Sequence, residues 1–280
     1  MIDVYVASAF SKNGCGGNKA GVVVNNDSLT ETDKMRLAHQ LGYSETAFLS
    51  PSETADFKLE YFTPTEEVPL CGHATIGTFI VLRELGKLDR PEFTIETKSG
   101  ILNITVAEDG LIFMEQNLPR FYETLKQQDL SACLNANYID EKLPIQIVST
   151  GLKDILVPVD SQAHLEELDP CMEEISAISK EKNVVGIHAF TLVKDKTVTA
   201  ICRNFAPLYG IDEESATGTS NCALACYLFK HGQRQHQYIF EQGYHLNNIS
   251  QIIVRMNYEN QLIKNVFVGG YGYLDCRKTM

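Results

Sequence analysis

Two stretches of the chain are apolar on every side at helical spacing, and short segments of alternating or fully apolar character surround each. The first runs from Ala74 to Leu85, where Ile76, Phe79, Ile80, Val81, Leu82 and Leu85 leave no room for a solvent face. The second carries Ala223, Leu224, Ala225, Cys226, Tyr227, Leu228 and Phe229 in succession. A helix of this kind must be enclosed by the rest of the protein. Around the first, strands are predicted at 3–7, 21–25, 45–49, 56–62, 93–97, 101–106 and 111–116. Around the second they fall at 145–149, 155–159, 190–193, 198–205, 238–242 and 252–258. Thr30-x-x-Asp33 reads as a capping box opening an amphipathic helix through Met35, Leu37, Ala38 and Leu41, which Gly42 ends. The loop Ser11 to Asn18 is too rich in glycine for regular structure; it suits either a ligand cradle or a plain hairpin connection.

The two helices belong to a repeated segment. Tyr61-Phe62-Thr63-Pro64 precedes Cys71-Gly72-His73-Ala74-Thr75, and Asn204-Phe205-Ala206-Pro207 precedes Thr217-Gly218-Thr219-Ser220. Gly72 to Gly86 and Gly218 to Gly232 both span 14 residues, with Leu82 and Leu228 at the same offset, and the copies lie 146 residues apart. Equal helix lengths alone could be coincidence, but the joint recurrence of aromatic, proline, glycine and leucine argues for two similar halves. The expected architecture is therefore α+β: two pseudo-symmetric halves, each a curled, mostly antiparallel, barrel-like sheet around a central helix. The first half is placed at residues 1–118, joined by a returning C-terminal strand within 265–280, and the second at 119–264. A linker with a short helix is expected over 119–139, where the periodicity weakens.

Composition narrows the function classes. With 44% hydrophobic and 21% charged residues the chain is of ordinary globular make-up, and its formal charge of −12 supplies no basic surface for nucleic acid. No apolar run is long enough for a membrane span. Met1-Ile2-Asp3-Val4-Tyr5-Val6 starts as a strand without a secretory signal, so a cytoplasmic location and reduced thiols are expected for the eight cysteines. No two of them form Cys-x-x-Cys, which speaks against ribbon- or finger-type zinc, and no metal or other cofactor is called for. Cys222 and Cys226 sit among small apolar residues and read as core.

Candidate chemistry gathers at the two helix starts. Gly72, His73 and Ala74, like Gly218, Thr219 and Ser220, are small or polar residues that leave first-turn N–H groups open to a carboxylate or a developing oxyanion. Taken singly, Thr219 and Ser220 are explained by capping, His73 equally by a helix-capping role, and Glu45 by a solvated place on a strand.

Several motifs in order give these residues more weight. Gly17-Asn18-Lys19-Ala20-Gly21, Ser44-Glu45-Thr46-Ala47-Phe48, Glu67-Val68-Pro69-Leu70-Cys71-Gly72-His73-Ala74-Thr75 and Ala216-Thr217-Gly218 resemble the phenazine-biosynthesis PhzF-like family. The resemblance implies a diaminopimelate-epimerase-like fold with the active site in the cleft between the halves, no cofactor, and a homodimer. It further implies that Glu45 is the general acid/base, with His73 and Glu214 orienting polar substituents of the substrate. Asn18, Ser44, Gly72, Ala74, Thr217, Gly218, Thr219 and Ser220 are then expected to bind a small-molecule carboxylate. Where the family usually shows Glu-Asp-Pro-Ala-Thr-Gly-Ser-Ala, this chain has Glu213-Glu214-Ser215-Ala216-Thr217-Gly218-Thr219-Ser220. The extra methylene of Glu214 and the freer turn at Ser215 displace the carboxylate on a scale to which catalysis is sensitive.

The leading expectation is an isomerase that moves a proton on a small cyclic or unsaturated carboxylic acid, of which trans-2,3-dihydro-3-hydroxyanthranilate is the family's defined case. An amino-acid epimerase or racemase is the second reading. It would need two thiols, and only Cys71 is at hand because the matching position falls on or beside Thr217. A binding protein that kept the fold and lost turnover is the third, motivated by Glu214 and Ser215.

Overall fold

A computed structural model of the chain describes residues 2–24, 29–194 and 197–280, which divide into two units. One comprises residues 1–115 and 269–280, the other residues 116–268.

The first unit runs β1 (Asp3–Ser11), β2 (Asn18–Val23), α1 (Glu31–Leu41), β3 (Thr46–Ser50), β4 (Phe57–Phe62), β5 (Glu67–Val68), α2 (Gly72–Glu84), β6 (Glu92–Thr97), β7 (Gly100–Val106) and β8 (Ile112–Gln116). β1 pairs antiparallel with β2, and β2 runs parallel to β3. The ladder continues antiparallel to β4, parallel to β6, and antiparallel through β7 to β8. The last strand of the chain, β17 (Leu262–Thr279), pairs with both β8 and β1, so the sheet returns to its starting edge and closes. α2 fills the interior, with Ala74, Ile76, Phe79, Ile80, Val81 and Leu82 all at 0% exposure, as its all-round apolar sequence requires. Truncating a side chain such as Phe79 or Leu82 there costs about 2–5 kcal/mol. α1 lies outside, held through Leu37 and Ala38 against Val4, Val23, Phe48 and Phe62. Its capping box is formed by Thr30 and Asp33, and Gly42 ends it at φ 68°.

The second unit contains β9 (Arg120–Leu125), β10 (Ile145–Ser149), β11 (Lys153–Pro158), α3 (Gln162–Glu166), α4 (Met172–Lys182), β12 (Gly186–Leu192), β13 (Ala200–Ala206), β14 (Ile211–Glu214), α5 (Gly218–Lys230), β15 (Gln237–Gln242) and β16 (Ser250–Glu259). The order of pairing repeats that of the first unit. β11 runs parallel to β12, β12 antiparallel to β13, β13 parallel to β15 and β15 antiparallel to β16. α5 is the counterpart of α2 and is buried from Ser220 to Phe229. Cys222 and Cys226 lie in that core at 0% exposure, and burial pushes both thiols up, Cys226 to about 12.

The structure departs from the expectations in several places. Residues 119–139 are no linker: β9 pairs with β10, and Leu130, Cys133, Leu134 and Ile139 join the core formed with Leu165, Ile175 and Ile187. The weak periodicity there reflects 3-10 turns at Gln127–Leu130 and Ala136–Tyr138, whose spacing matches neither a helix nor a strand. The strand expected at 21–25 begins earlier, at Asn18, and residue 25 lies outside the described residues. α3 and α4, unanticipated, cover the outer face of the second sheet, where Ile175 and Ile178 are buried. The glycine-rich loop is a tight turn closed by a Lys12–Cys15 bridge, with Gly16 and Gly17 at positive φ.

Candidate active site

In the first unit the structure gathers Asn18, Ser44, Glu45, Cys71 and His73. Ser44 and Glu45 are delivered by the turn between α1 and β3, Asn18 opens β2, and Cys71 is the N-cap residue of α2. The His73 ring, 8% exposed, is the hub. The Asn18 amide donates to Nδ1 at 3.3 Å, which leaves the ring proton on Nε2. Nε2 faces Ser44 Oγ at 3.4 Å and Glu45 Oε2 at 3.3 Å. Cys71 Sγ lies 3.5 Å from Nδ1 and 3.9 Å from Nε2. Burial lowers the His73 pKa, partly offset by the Glu45 carboxylate, so the imidazole is held neutral. Although close to Nε2, Glu45 Oε2 is off the hydrogen-bond line; it is buried and accepts no hydrogen bond. An acceptor left unsatisfied in this way is costly unless something else uses it.

α2 starts without a side-chain cap and without an acidic residue in its first turn, and the same holds for α5 after its N-cap residue Thr217. The capping explanation for His73, Thr219 and Ser220 is thereby set aside. His73 spends its nitrogens on side chains, and Ser220 Oγ donates to Asp154 Oδ2 at 2.8 Å inside the second unit. Thr219 offers its carbonyl to Thr150 Oγ at 3.2 Å. Gly72 has room beside it: a Cβ there would meet only Met114 Cε, at 3.6 Å. Ala74 is fully buried, so only its first-turn backbone N–H bears on the helix-start chemistry.

In the second unit Glu214 and Thr217 flank the turn into α5. Gln242, not singled out in the sequence, clamps that turn. Its Nε2 donates to the Glu214 carbonyl at 2.7 Å and to Thr217 Oγ1 at 3.1 Å, while its Oε1 accepts from Thr217 N at 3.3 Å and from Asn221 Nδ2 at 2.9 Å. A glutamine ending a predicted buried strand was the available signal. Glu213 is committed elsewhere, to a bidentate ion pair with buried Arg203 at 3.0 and 2.8 Å. Successive strand residues face opposite ways, so this pair fixes which face of β14 Glu214 takes.

The repeat places Glu45 once only. Thr46 pairs with Phe62 and Ile187 with Phe205, the aromatic of each Phe-x-Pro, so Glu45 aligns with Gly186. A Cβ at Gly186 would run into the Phe205 carbonyl, and no side chain can stand there. The acid/base candidate therefore has no counterpart in the second unit.

The sequence pattern of the Phenazine biosynthesis-like protein family matches residues 7–274. The chain belongs to this family. Among its family relatives, the isomerase YfhB of Bacillus subtilis is 33% identical, over 98% of this chain and 97% of its own. The trans-2,3-dihydro-3-hydroxyanthranilate isomerase of Pseudomonas chlororaphis is 28% identical, over 100% and 99%. The crystal structure of a PhzF-family protein of Bacillus anthracis superposes with a TM-score of 0.90 at 32% identity, covering 99% of this chain and 98% of that one. The fold class expected from the repeat is the one found, and this PhzF-family chain is an isomerase.

Proposed function

We propose that this PhzF-family isomerase moves a proton on a small cyclic or unsaturated carboxylic acid of the trans-2,3-dihydro-3-hydroxyanthranilate type, with Glu45 as the group that removes and returns it. The observation that carries this reading is Glu45 Oε2, a buried carboxylate oxygen without a hydrogen-bond donor, beside a neutral His73. An oxygen with no donor on it is open to a substrate proton, while His73 Nε2–H can donate to a polar substituent or to the spent carboxyl. The uncapped N–H groups of Gly72, His73 and Ala74 suit the substrate carboxylate or the charge that builds on it as the proton leaves. Glu214 and the first turn of α5 carry the substrate-orienting roles that the family resemblance implies.

The epimerase reading gains no support. Cys71 and Thr217 hold the same N-cap place before α2 and α5, and a threonine hydroxyl is too weak an acid and base to stand in for the second thiol.

The test follows deuterium uptake from heavy water by proton NMR, with dihydro-hydroxyanthranilate and a panel of cyclic and amino acids. Exchange is expected with a cyclic acid and should fall by about 10²–10⁴ in Glu45→Gln. Exchange that survives the substitution would remove Glu45 from the chemistry; binding without any exchange would favour a protein that has lost turnover.

A further inference from the structure

Cys71 is the member of the His73 cluster for which proton transfer finds no use. It is 7% exposed, and its sulfur touches both nitrogens of the ring that also faces Glu45. One donor atom from each of Glu45, Cys71 and His73 lies within 4.8 Å of the others, and among the described residues this is the trio of His, Cys, Asp or Glu so arranged. Thiolate, imidazole and carboxylate together are a zinc donor set; magnesium and calcium, which take oxygen ligands, have no use for the sulfur.

We propose that this trio binds a thiophilic divalent cation of the zinc class, and that the bound ion switches the proton chemistry off. Tetrahedral zinc with bonds of about 2.0–2.3 Å needs its ligand atoms roughly 3.3–3.8 Å apart. His73 Nε2 already lies 3.3 Å from Glu45 Oε2 and 3.9 Å from Cys71 Sγ, and Oε2 and Sγ, within 4.8 Å of each other, close by up to about 1.3 Å to share the ion. Oε2, without a hydrogen bond, has none to give up. Ligation through Nε2 moves the ring proton to Nδ1, where Asn18 can accept it once its amide turns to present Oδ1. The Cys71 proton is released to solvent on binding, and the positive end of α2 favours the anionic sulfur left behind. The fourth ligand is water. Coordination takes both the Glu45 carboxylate and the His73 nitrogen out of proton transfer. Binding stands on the geometry alone; only its inhibitory consequence rests on the proposed acid/base role of Glu45.

The test begins with the full chain, stripped by a chelator and titrated with zinc against a chromophoric zinc chelator, and with cobalt(II) read by its sulfur-to-metal charge-transfer absorption. One ion per chain and a charge-transfer band are expected. Cys71→Ser should abolish the band and weaken zinc by about tenfold or more, while Glu45→Gln should keep the band and weaken zinc to a similar degree. Serine is a good N-cap, so Cys71→Ser is expected to fold, as circular dichroism will show; should it not, Glu45→Gln carries the test. A band that survives in Cys71→Ser, or zinc affinity indifferent to both substitutions, overturns the site and assigns the metal to another thiol. Zinc occupancy should abolish deuterium exchange and a chelator restore it; exchange undiminished at full occupancy overturns the switch. If no substrate exchanges at all, the functional reading fails while the metal titration still decides the site.

Discussion

The first turns of the two central helices, open beside Gly72 in one and tied through Ser220 to Asp154 of β11 in the other, meet opposite demands. Gly72 is not needed for packing, because a methyl group would meet only Met114 Cε at 3.6 Å. In the proposed reaction its use is the open approach to the first-turn N–H groups. Gly72→Ala is expected to leave Tm unchanged or raised by about 2 °C in differential scanning fluorimetry, with deuterium exchange down by about 10². Gly21 pairs with Thr46 and Ile155 with Ile187, so Asp154 of the second unit aligns with Ala20 of the first; counted from the helix starts at Gly72 and Gly218, Ser220 aligns with Ala74. Burial raises the Asp154 carboxyl to about 7, against the Ser220 hydrogen bond, and lowers the buried His188 to about 4. Between the unfolded value of 3.8 and about 7, the folded chain holds an Asp154 proton that the unfolded chain has released, so raising the pH destabilises. His188 acts in the opposite sense between about 4 and 6.5, where only the unfolded chain is protonated, so the two nearly cancel. Asp154→Asn removes one side of that balance. Its stability relative to wild type should climb by about 1.4 kcal/mol per pH unit from pH 3.8 to about 7, read from urea midpoints at several pH values. A flat difference would mean that Asp154 titrates as it does in the unfolded chain.

Among the elements, those with one plain period were legible and those without it were not. α2 and α5 announce themselves by being apolar all round, and α1 by its capping box and terminal glycine, because each of these signals is local. β9 has mostly exposed side chains, so pairing with β10 rather than burial makes it a strand, and pairing leaves no trace in hydrophobicity. α3 and α4 bury only Leu165 and Ile175, Ile178 and Ser179, too narrow a stripe to stand out as a helical period. β17 has the most consequential pairing. It lies against β1 from Asp3–Thr279 to Ser11–Tyr271, and Ile2 and Met280 exchange backbone hydrogen bonds of 2.7 and 2.9 Å beyond it. Removing residues 269–280 would strip β1 of its β17 partner and open the ladder between β1 and β8, and opened edges of this kind invite association with other chains. Such a truncation is expected to elute as aggregate in size-exclusion chromatography with light scattering, with β1 amides losing their protection in hydrogen exchange; a monodisperse, protected product would show that the ladder closes without β17.

For the molecule as a whole, the duplicated plan could be read from the spacing of prolines, glycines and leucines, because both halves must enclose a helix of the same length. The unequal use of the two halves could not. That Glu45 aligns with a glycine whose Cβ has nowhere to go follows from strand register, and that Gln242 clamps the turn after Glu214 depends on residues far apart in sequence. Likewise, the companionship of Cys71 with His73 and Glu45 exists only once β3 and α2 are brought side by side. The closing role of β17 also bears on how the protein is made. A ribosome releases residues 116–268 as one uninterrupted stretch, whereas the unit that holds Glu45 and His73 waits for residues 269–280. The later-synthesised half is thus the first to be complete, and a nascent chain carries its unfinished opening strands past it until the final strand emerges.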